Sequence, residues 1–361
     1  MAQAKLSPTD PVGQALSTIA AHAGAADRGE VTLAADLALL HHCGVLSELA
    51  RQTSPGGDTL AGATLLRRIG RASLAVGRIV EGHANALLLI HLYGTSAQRM
   101  QATAAAGAGA LFGVWGAEGT DPVTVSARHG NTMTLSGAKQ FCSGIGLLSW
   151  AVVPVTLAEG PQLFLVDVRD PDRGDLSTWQ VSGMRATASG RYDLTGLTAQ
   201  TLGLPGDFTQ EPHFEGGIWR YCALHCGGLE ALAEEARRHI LSRQQADDPH
   251  QRARLAHLAI HAQTARLWVE SCCTSVVTDD VAAPCVTQAL LAREAVEQAC
   301  LSGIALAERI LGTQAFASRS PADRIRRDLA FFLRQANLDG KLAKAGTNLL
   351  ARTAPLGECV T

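Results

Sequence analysis

The sequence is poor in aromatic residues, which make up 4% of its 361 positions, and it has no excess of either charge. It has no paired cysteine framework and no apolar run long enough to cross a membrane. Each absence narrows the field. Lys and Arg number 31 against 33 Asp and Glu, a net charge of −2, which leaves no basic footprint for nucleic acid and no acidic tail. The nine cysteines (43, 142, 222, 226, 272, 273, 285, 300 and 359) contain no CxxC pair. Their odd number reads as reduced, buried thiols, and the start MAQAKLSPTDPVGQ lacks a basic segment followed by an apolar one. No secretory signal is expected, and the cytoplasm is the expected location. The most apolar segment, Ala84 to Leu92, is short and accompanied by Glu81, His83 and His91, which marks it as the face of a buried helix and excludes a span.

Apolar residues reach 47%, with alanine and leucine prominent. Alanine and leucine without aromatics predict a mainly helical chain with close helix packing. Up to about residue 108 the apolar period is helical: "LAADLALLHHCGVLSELARQ" and "LLRRIGRASLAVGRIVEGHANALLLIHLYG" each read as one helix, the second ending at Gly94. From 109 to 206 the pattern changes to short strand-like runs ("NTMTLSGAKQF", "SWAVVPVTL", "PQLFLVDV", "RYDLTGLTAQ") separated by Gly, Pro and Asp. Helical periodicity returns at 207 and continues to 361 in four amphipathic segments. The expected architecture is an N-terminal helical domain (1–108), a middle β-barrel-like domain (109–206) and a C-terminal four-helix bundle (207–361).

That order, with several local motifs, resembles the acyl-CoA dehydrogenase superfamily of flavoproteins over nearly the whole chain. "LFGVWGAEGTDPV" (111–123) resembles an aromatic-x-Thr-Glu-Pro segment that lies along the flavin ring, with Ala117 in place of the threonine. "LSGAKQFCSG" (135–144) resembles Gly-x-Lys-x-Trp-Ile-Thr-Asn, in which the aromatic covers one face of the isoalloxazine and the hydroxyl bonds its N5. Phe141 and Ser143 keep both chemistries. "GMRATASGRYDLTGL" (183–197) resembles the strand at the exit of the β-domain. "RILGTQAF…RIRRDL" (309–329) resembles the Leu-Gly-Gly-x-Gly…Arg-x-x-Arg-Asp run, with Gly312 alone kept among the cofactor-approaching glycines. Arg243 and Gln251 of "RQQADDPHQ" match an Arg…Gln pair whose arginine reaches a neighbouring subunit's cofactor. The resemblance implies FAD, or FMN for a monooxygenase-like relative, held by Trp115, Ala117, Phe141, Ser143, Arg243 and Gly312. It implies a small-molecule substrate such as an acyl-CoA, and an electron-transfer partner or flavin reductase. A homodimer or homotetramer is expected, because long Ala- and Leu-rich helices leave apolar faces.

The departure from the family lies in "RIRRDLAFFLRQANLDG" (324–340). Family members carry the catalytic glutamate eight residues after the Arg-Asp aspartate, which here is Ala336, or immediately before an arginine on the first bundle helix, which here is Trp219 before Arg220. Neither residue takes a proton, and a positioned base is worth roughly 10²–10⁴ in rate. Both residues are expected to face the flavin cleft. Glu215, one turn before Trp219, is the candidate for a displaced base, against a plain helix-start charge. The function implied is a flavin-dependent oxidoreductase of the acyl-CoA dehydrogenase type with a displaced or missing base. Two alternatives stand beside it: a reduced-flavin monooxygenase on the same fold, and a non-catalytic subunit or binding module.

Other polar residues carry plainer expectations. His257 and His261 are four apart without a third ligand, so no metal is expected. Cys222 and Cys226, flanking His225, read as core, and His41–His42 need no role. His83 reads as a satisfied histidine at a cleft, and Glu118 as a residue that holds a turn.

Overall fold

The computed structural model describes residues 10–130, 132–275, 282–334, 337–353 and 355–356. Six helices come first: α1 (Pro11–Asp27), α2 (Ala34–His42), α3 (Val45–Thr53), α4 (Thr59–Ala72), α5 (Leu74–Tyr93) and α6 (Ser96–Gly107). Where the periodicity predicts one helix there are twice two. Gly44, at φ +71, separates α2 from α3 in a conformation that costs a residue with a Cβ. Ser73 adopts extended backbone and caps α5, its side chain accepting from Val76 N. Asp58 caps α4 in the same way, and Thr95 with Gln98 forms a capping box on α6. Gly94 is the C-cap of α5, as its position in the sequence suggests.

The strands follow: β1 (Phe112–Val114), β2 (Thr124–His129), β3 (Thr132–Ser136), β4 (Ala138–Lys139), β5 (Trp150–Leu157), β6 (Gly160–Asp167), β7 (Gly174–Asp175), β8 (Arg191–Asp193) and β9 (Thr198–Leu202). They form a six-stranded sheet in the order β1-β5-β6-β9-β3-β2 and a three-stranded sheet β4-β8-β7. Only β1 and β5 run parallel. The pairs β3–β9 and β4–β8 follow one another across Gly137, so consecutive strands β3 and β4 belong to different sheets.

Helix returns with α7 (Trp219–Ser242), α8 (Pro249–Ser275), α9 (Ala282–Leu311), α10 (Pro321–Phe332) and α11 (Leu338–Leu350). Four segments were expected here and five are found. The third segment ends at Gly312 (φ +58), as its sequence suggests, and the last is divided between α10 and α11, which starts after Asn337 at φ 59. One apolar core joins α1–α5, the strands' inner faces and α7–α10. Among the described residues the cysteines form no disulfide, and all but Cys43 are buried. Among the described residues, no helix is long and apolar enough to cross a membrane.

Candidate functional site

Two loops of the β region are zipped together. Cys142 N donates to Gly190 O (2.9 Å), Gly144 N to Thr187 O (2.9 Å) and Ile145 N to Ala188 O (3.0 Å). Of the five non-glycine residues in the left-handed region among the described residues, three lie on these loops: Phe141 (φ 54), Met184 (φ 57) and Ala188 (φ 45). Such backbone is costly away from glycine and persists only where the surroundings fix it. Here α10 does the fixing. Gly183 presses on its backbone so closely that a Cβ would lie 2.5 Å from the Arg327 carbonyl carbon. Met184 N donates to Asp328 Oδ1 at 2.6 Å, and Arg327 Nη1 donates to Ser182 O at 2.6 Å while pairing with Asp27 and Asp323. Burial pushes the Asp328 carboxyl up to about 6, against the opposing pull of Arg324.

The strained loops present a small surface. The Phe141 ring is 63% exposed, 5.9 Å from Trp179, which stands 5.4 Å from Phe331 of α10. Beside it, Thr187 and the fully buried Ser189 share a hydroxyl contact of 2.8 Å, and Ser189 Oγ donates to Ser143 Oγ at 3.0 Å. Ser143 is the half-buried end of this relay. Because Ser143 accepts from within, its own hydrogen remains for a partner outside. An apolar ring beside an outward hydroxyl donor fits the edge and face of a planar heteroaromatic cofactor such as a flavin.

A second polar set lies deeper, where α5, α7 and α10 converge. Buried atoms without a hydrogen-bond partner include Trp219 Nε1, Arg220 Nε, Tyr221 Oη and His225 Nε2 on α7 and Asn85 Oδ1 on α5. Buried polar groups are normally satisfied, so four within seven residues of α7 require an explanation. Burial lowers the His225 imidazole to about 3 and raises the Tyr221 phenol, so both are neutral. The two helices flanking this set also touch the loops. On α5, Ile79 lies against Gly144 and Glu81 carries the nearest negative charge to Arg220 and Tyr221. On α10, Phe331 meets Trp179, and its neighbour Phe332 meets His225 at 4.7 Å.

The residues singled out by the sequence fall into three groups. Phe141, Ser143 and Ala117 come together, Ala117 O accepting from Gln140 N at 2.9 Å. Trp115 belongs with them from beneath. It is buried against Tyr192 (ring centroids 4.9 Å), and its indole N–H donates to Ser143 O at 3.0 Å, so it props the loop and presents no face of its own. Arg243 and Gly312 are not part of this surface within one chain. Arg243 is exposed just past the end of α7, a 24-residue helix whose other end is Trp219, and nothing in the chain closes on Gly312.

The base positions also need correction. Trp219 does not face an open cleft: it is 1% exposed and packs toward Gly62 of α4. Glu215 lies just before α7, pinned by Lys344 of α11. Ala336 lies outside the described residues.

The other polar residues singled out by the sequence sit as follows. Glu118 pairs with Lys139 and accepts from Val123 N at 3.3 Å, holding its turn. His83 is buried, its Nδ1 accepting from Phe112 N at 3.1 Å and its pKa pushed down to about 4 by desolvation. Cys222, Cys226 and His225 are core, and His257 is exposed on α8. No group of three metal-ligating side chains occurs among the described residues. Sequence reasoning missed Ser189, Thr187, Glu81 and Tyr221. Thr187 and Ser189 both lie within one motif, 183–197, whereas the roles of Glu81 and Tyr221 depend on contacts between distant segments.

Residues 214–332 match the family model described as acyl-CoA dehydrogenase, C-terminal domain. The whole chain superposes on solved structures of that superfamily. Butyryl-CoA dehydrogenase from Megasphaera elsdenii is 16% identical, with 96% of this chain and all of that chain covered at a TM-score of 0.79. The chain carries an acyl-CoA dehydrogenase C-terminal domain on an acyl-CoA dehydrogenase fold. Two further structures with this fold are similar to it. Methanesulfinate monooxygenase MsuC from Pseudomonas fluorescens is 19% identical, covering 99% of this chain and 100% of its own at a TM-score of 0.79. Dibenzothiophene monooxygenase TdsC from Paenibacillus sp. A11-2, also solved with FMN, is 18% identical over 98% and 99% at 0.77. No curated protein matches the chain in sequence. Likeness at this identity establishes the acyl-CoA dehydrogenase fold and leaves the chemistry to the residues.

Proposed function

We propose that this chain is a flavin-dependent oxidoreductase that inserts oxygen into a small substrate, fed with reduced flavin by a separate reductase. One observation carries the choice of chemistry. The site offers hydroxyls, aromatic rings and a guanidinium, but no uncommitted carboxylate among the described residues. Glu215 is tied to Lys344, Asp328 holds Met184 N, and Glu81 is bound by Arg78 and Asn85. Dehydrogenation of a thioester needs a base for a weakly acidic carbon, whereas flavin-dependent oxygenation does not.

Phe141 and Ser143 would hold the flavin, Phe141 by covering its ring and Ser143 by donating its free hydroxyl hydrogen, with Ala117 beside them and Trp115 as the prop beneath. Bound there, a reduced flavin supplies the electrons that activate dioxygen. Trp179 and Phe331 exclude water from the same side, and the buried polar set on α7 receives the substrate's polar group. FMN, which TdsC carries in one of its structures, suits this reading; FAD is the cofactor if Gly312 and a partner subunit's Arg243 bind an ADP half. Exposed apolar side chains on α8, Ile260 and Leu267, support the expected homodimer or homotetramer. The three-part division at 108 and 206 fits the change from helix to strand and back.

Dehydrogenation remains the second reading for one reason. Glu81 is a buried carboxylate within the polar set, better placed than Glu215 to act as a displaced base. Flavin-loaded protein mixed with acyl-CoA separates the two. Unbleached flavin, together with dioxygen uptake that depends on a reductase and on substrate, supports oxygenation. Bleaching that is lost in Glu81→Gln supports dehydrogenation. No flavin binding at all returns the chain to the binding-module alternative.

A further inference from the structure

Arg220 is the anomaly of the interior. It is 8% exposed, its Nε has no hydrogen-bond partner, and no carboxylate lies within ion-pair distance of it among the described residues. A buried charge without a partner is expensive, and proteins normally neutralise or pair it. Nothing nearby does so. Glu81 already faces Arg78 at 2.5 Å. Burial raises the pKa of Cys222 to about 12 and holds Cys272 and Tyr221 well above their usual values, so none is ionised near neutrality. Arg293, which also acts on Tyr221 and Cys222, is matched by Glu297 at 2.5 Å, so the nearby charges are three guanidinium groups and two carboxylates, a surplus of one positive charge. Trp219 offers a cation–π contact, its ring centroid 5.6 Å from the guanidinium carbon, which attracts the charge without neutralising it. The backbone makes room for the guanidinium: a Cβ on Gly217 would lie 2.7 Å from Arg220 Cζ.

The neighbours complete the picture. Tyr221 Oη, the next residue along α7, is a further buried donor without a partner, and an arginine fork with spare N–H donors matches the geometry of a planar or tetrahedral oxyanion. We propose that Arg220 is the counter-ion of the substrate, and that the substrate is a small organic acid whose singly charged oxyanion head, a carboxylate, sulfinate or sulfonate, docks at the start of α7. The inference deepens the proposed function by naming its substrate class, and rests on reading this polar set as the substrate's place. Glu81, the carboxylate acting on Arg220, then sets the limit of the head-group: room for one negative charge.

The test uses the full-length protein without flavin, so that it does not depend on the redox reading. Thermal unfolding is followed with formate, acetate, benzoate and methanesulfonate at fixed ionic strength. Benzamide serves as the neutral match of benzoate, and chloride as the background ion. At least one organic anion is expected to raise the melting temperature in a saturable way, and benzamide is not expected to. Arg220→Gln should weaken that binding about 30-fold or more, the equivalent of losing one partner of a buried charge pair. Arg220→Gln should also leave the anion-free protein at least as stable as wild type, because it removes an unpaired buried charge. That outcome separates a binding role from a structural one. The proposal is overturned if no anion binds, if benzamide binds as well as benzoate, if Arg220→Gln keeps the anion response, or if that variant is markedly less stable without anion. A flavin titration by fluorescence on the same samples reports separately on the cofactor: anions that bind to protein unable to take up flavin would sink the redox reading and leave Arg220's role intact.

Discussion

Gly183→Ala is the most informative single substitution in the loop that supports the candidate flavin surface. Its backbone is not in the left-handed region, so alanine is conformationally acceptable and any effect comes from space. The new methyl group would sit 2.5 Å from the Arg327 carbonyl carbon and 2.9 Å from Phe331 Cβ. The first of these is helix backbone and cannot give way. The 181–189 loop must therefore lift from α10, which stretches the 2.6 Å bond from Met184 N to Asp328 and the Arg327 bond to Ser182. Overpacking costs ~1–3 kcal/mol and loss of a hydrogen bond to a charged group ~1.5–3 kcal/mol, so the expected destabilisation is ~3–5 kcal/mol. Urea unfolding of wild type and variant measures it. The same shift moves Thr187 and Ser189 away from Ser143, so flavin affinity should fall in whatever variant protein remains folded. A variant within ~0.5 kcal/mol of wild type, with unchanged flavin affinity, would refute the interlock.

Three further outcomes follow from the same geometry. Asp328 is pushed up to about 6 from 3.8, so the folded state holds its proton more tightly than the unfolded chain. The stabilisation is full below pH 3.8 and is lost as pH rises through 6, a change of ~3 kcal/mol; Asp328→Asn should flatten the dependence of the urea midpoint on pH across that window, and an unchanged slope would assign it to other groups. Ser143→Ala removes the outward donor and should weaken flavin binding ~5–10-fold with little effect on unfolding, as measured by flavin fluorescence titration. Trp219→Glu places an unpaired carboxylate in the core beside Gly62 and should cost ~3 kcal/mol or more without conferring acyl-CoA dehydrogenation; a stable variant with that activity would show that the position does open on a cleft.

The architecture was readable because the apolar period changes from helical to alternating and back, and because turn residues mark most boundaries. Its errors were local. Gly44 and Ser73 each break what reads as one helix, since a single glycine or serine inside a long apolar pattern looks tolerable until its backbone angles are known. The cofactor surface was readable as a motif: Phe141 and Ser143 are where the chain resembles its relatives, and they come together. What supports them was not. Met184 and Asp328 belong to two recognisable motifs, but the hydrogen bond joining them spans 144 positions and depends on the packing of α10. Trp115 shows the limit of pattern alone, because the sequence gives its proximity to Ser143 and not that it lies underneath. Arg220 illustrates the same limit for charge. An arginine in an amphipathic helix reads as solvated, and only the packing of α5 and α8 around it shows a cation without a partner.

The central claim is that this fold holds a flavin against Phe141 and Ser143 without the base that dehydrogenation requires. The visible spectrum of the FMN-loaded protein, mixed anaerobically with butyryl-CoA, tests both halves at once. The account predicts a flavin band perturbed from that of free FMN by the bound environment, and no bleaching when the thioester is added. A band identical to free FMN, or one bleached by butyryl-CoA, would contradict it.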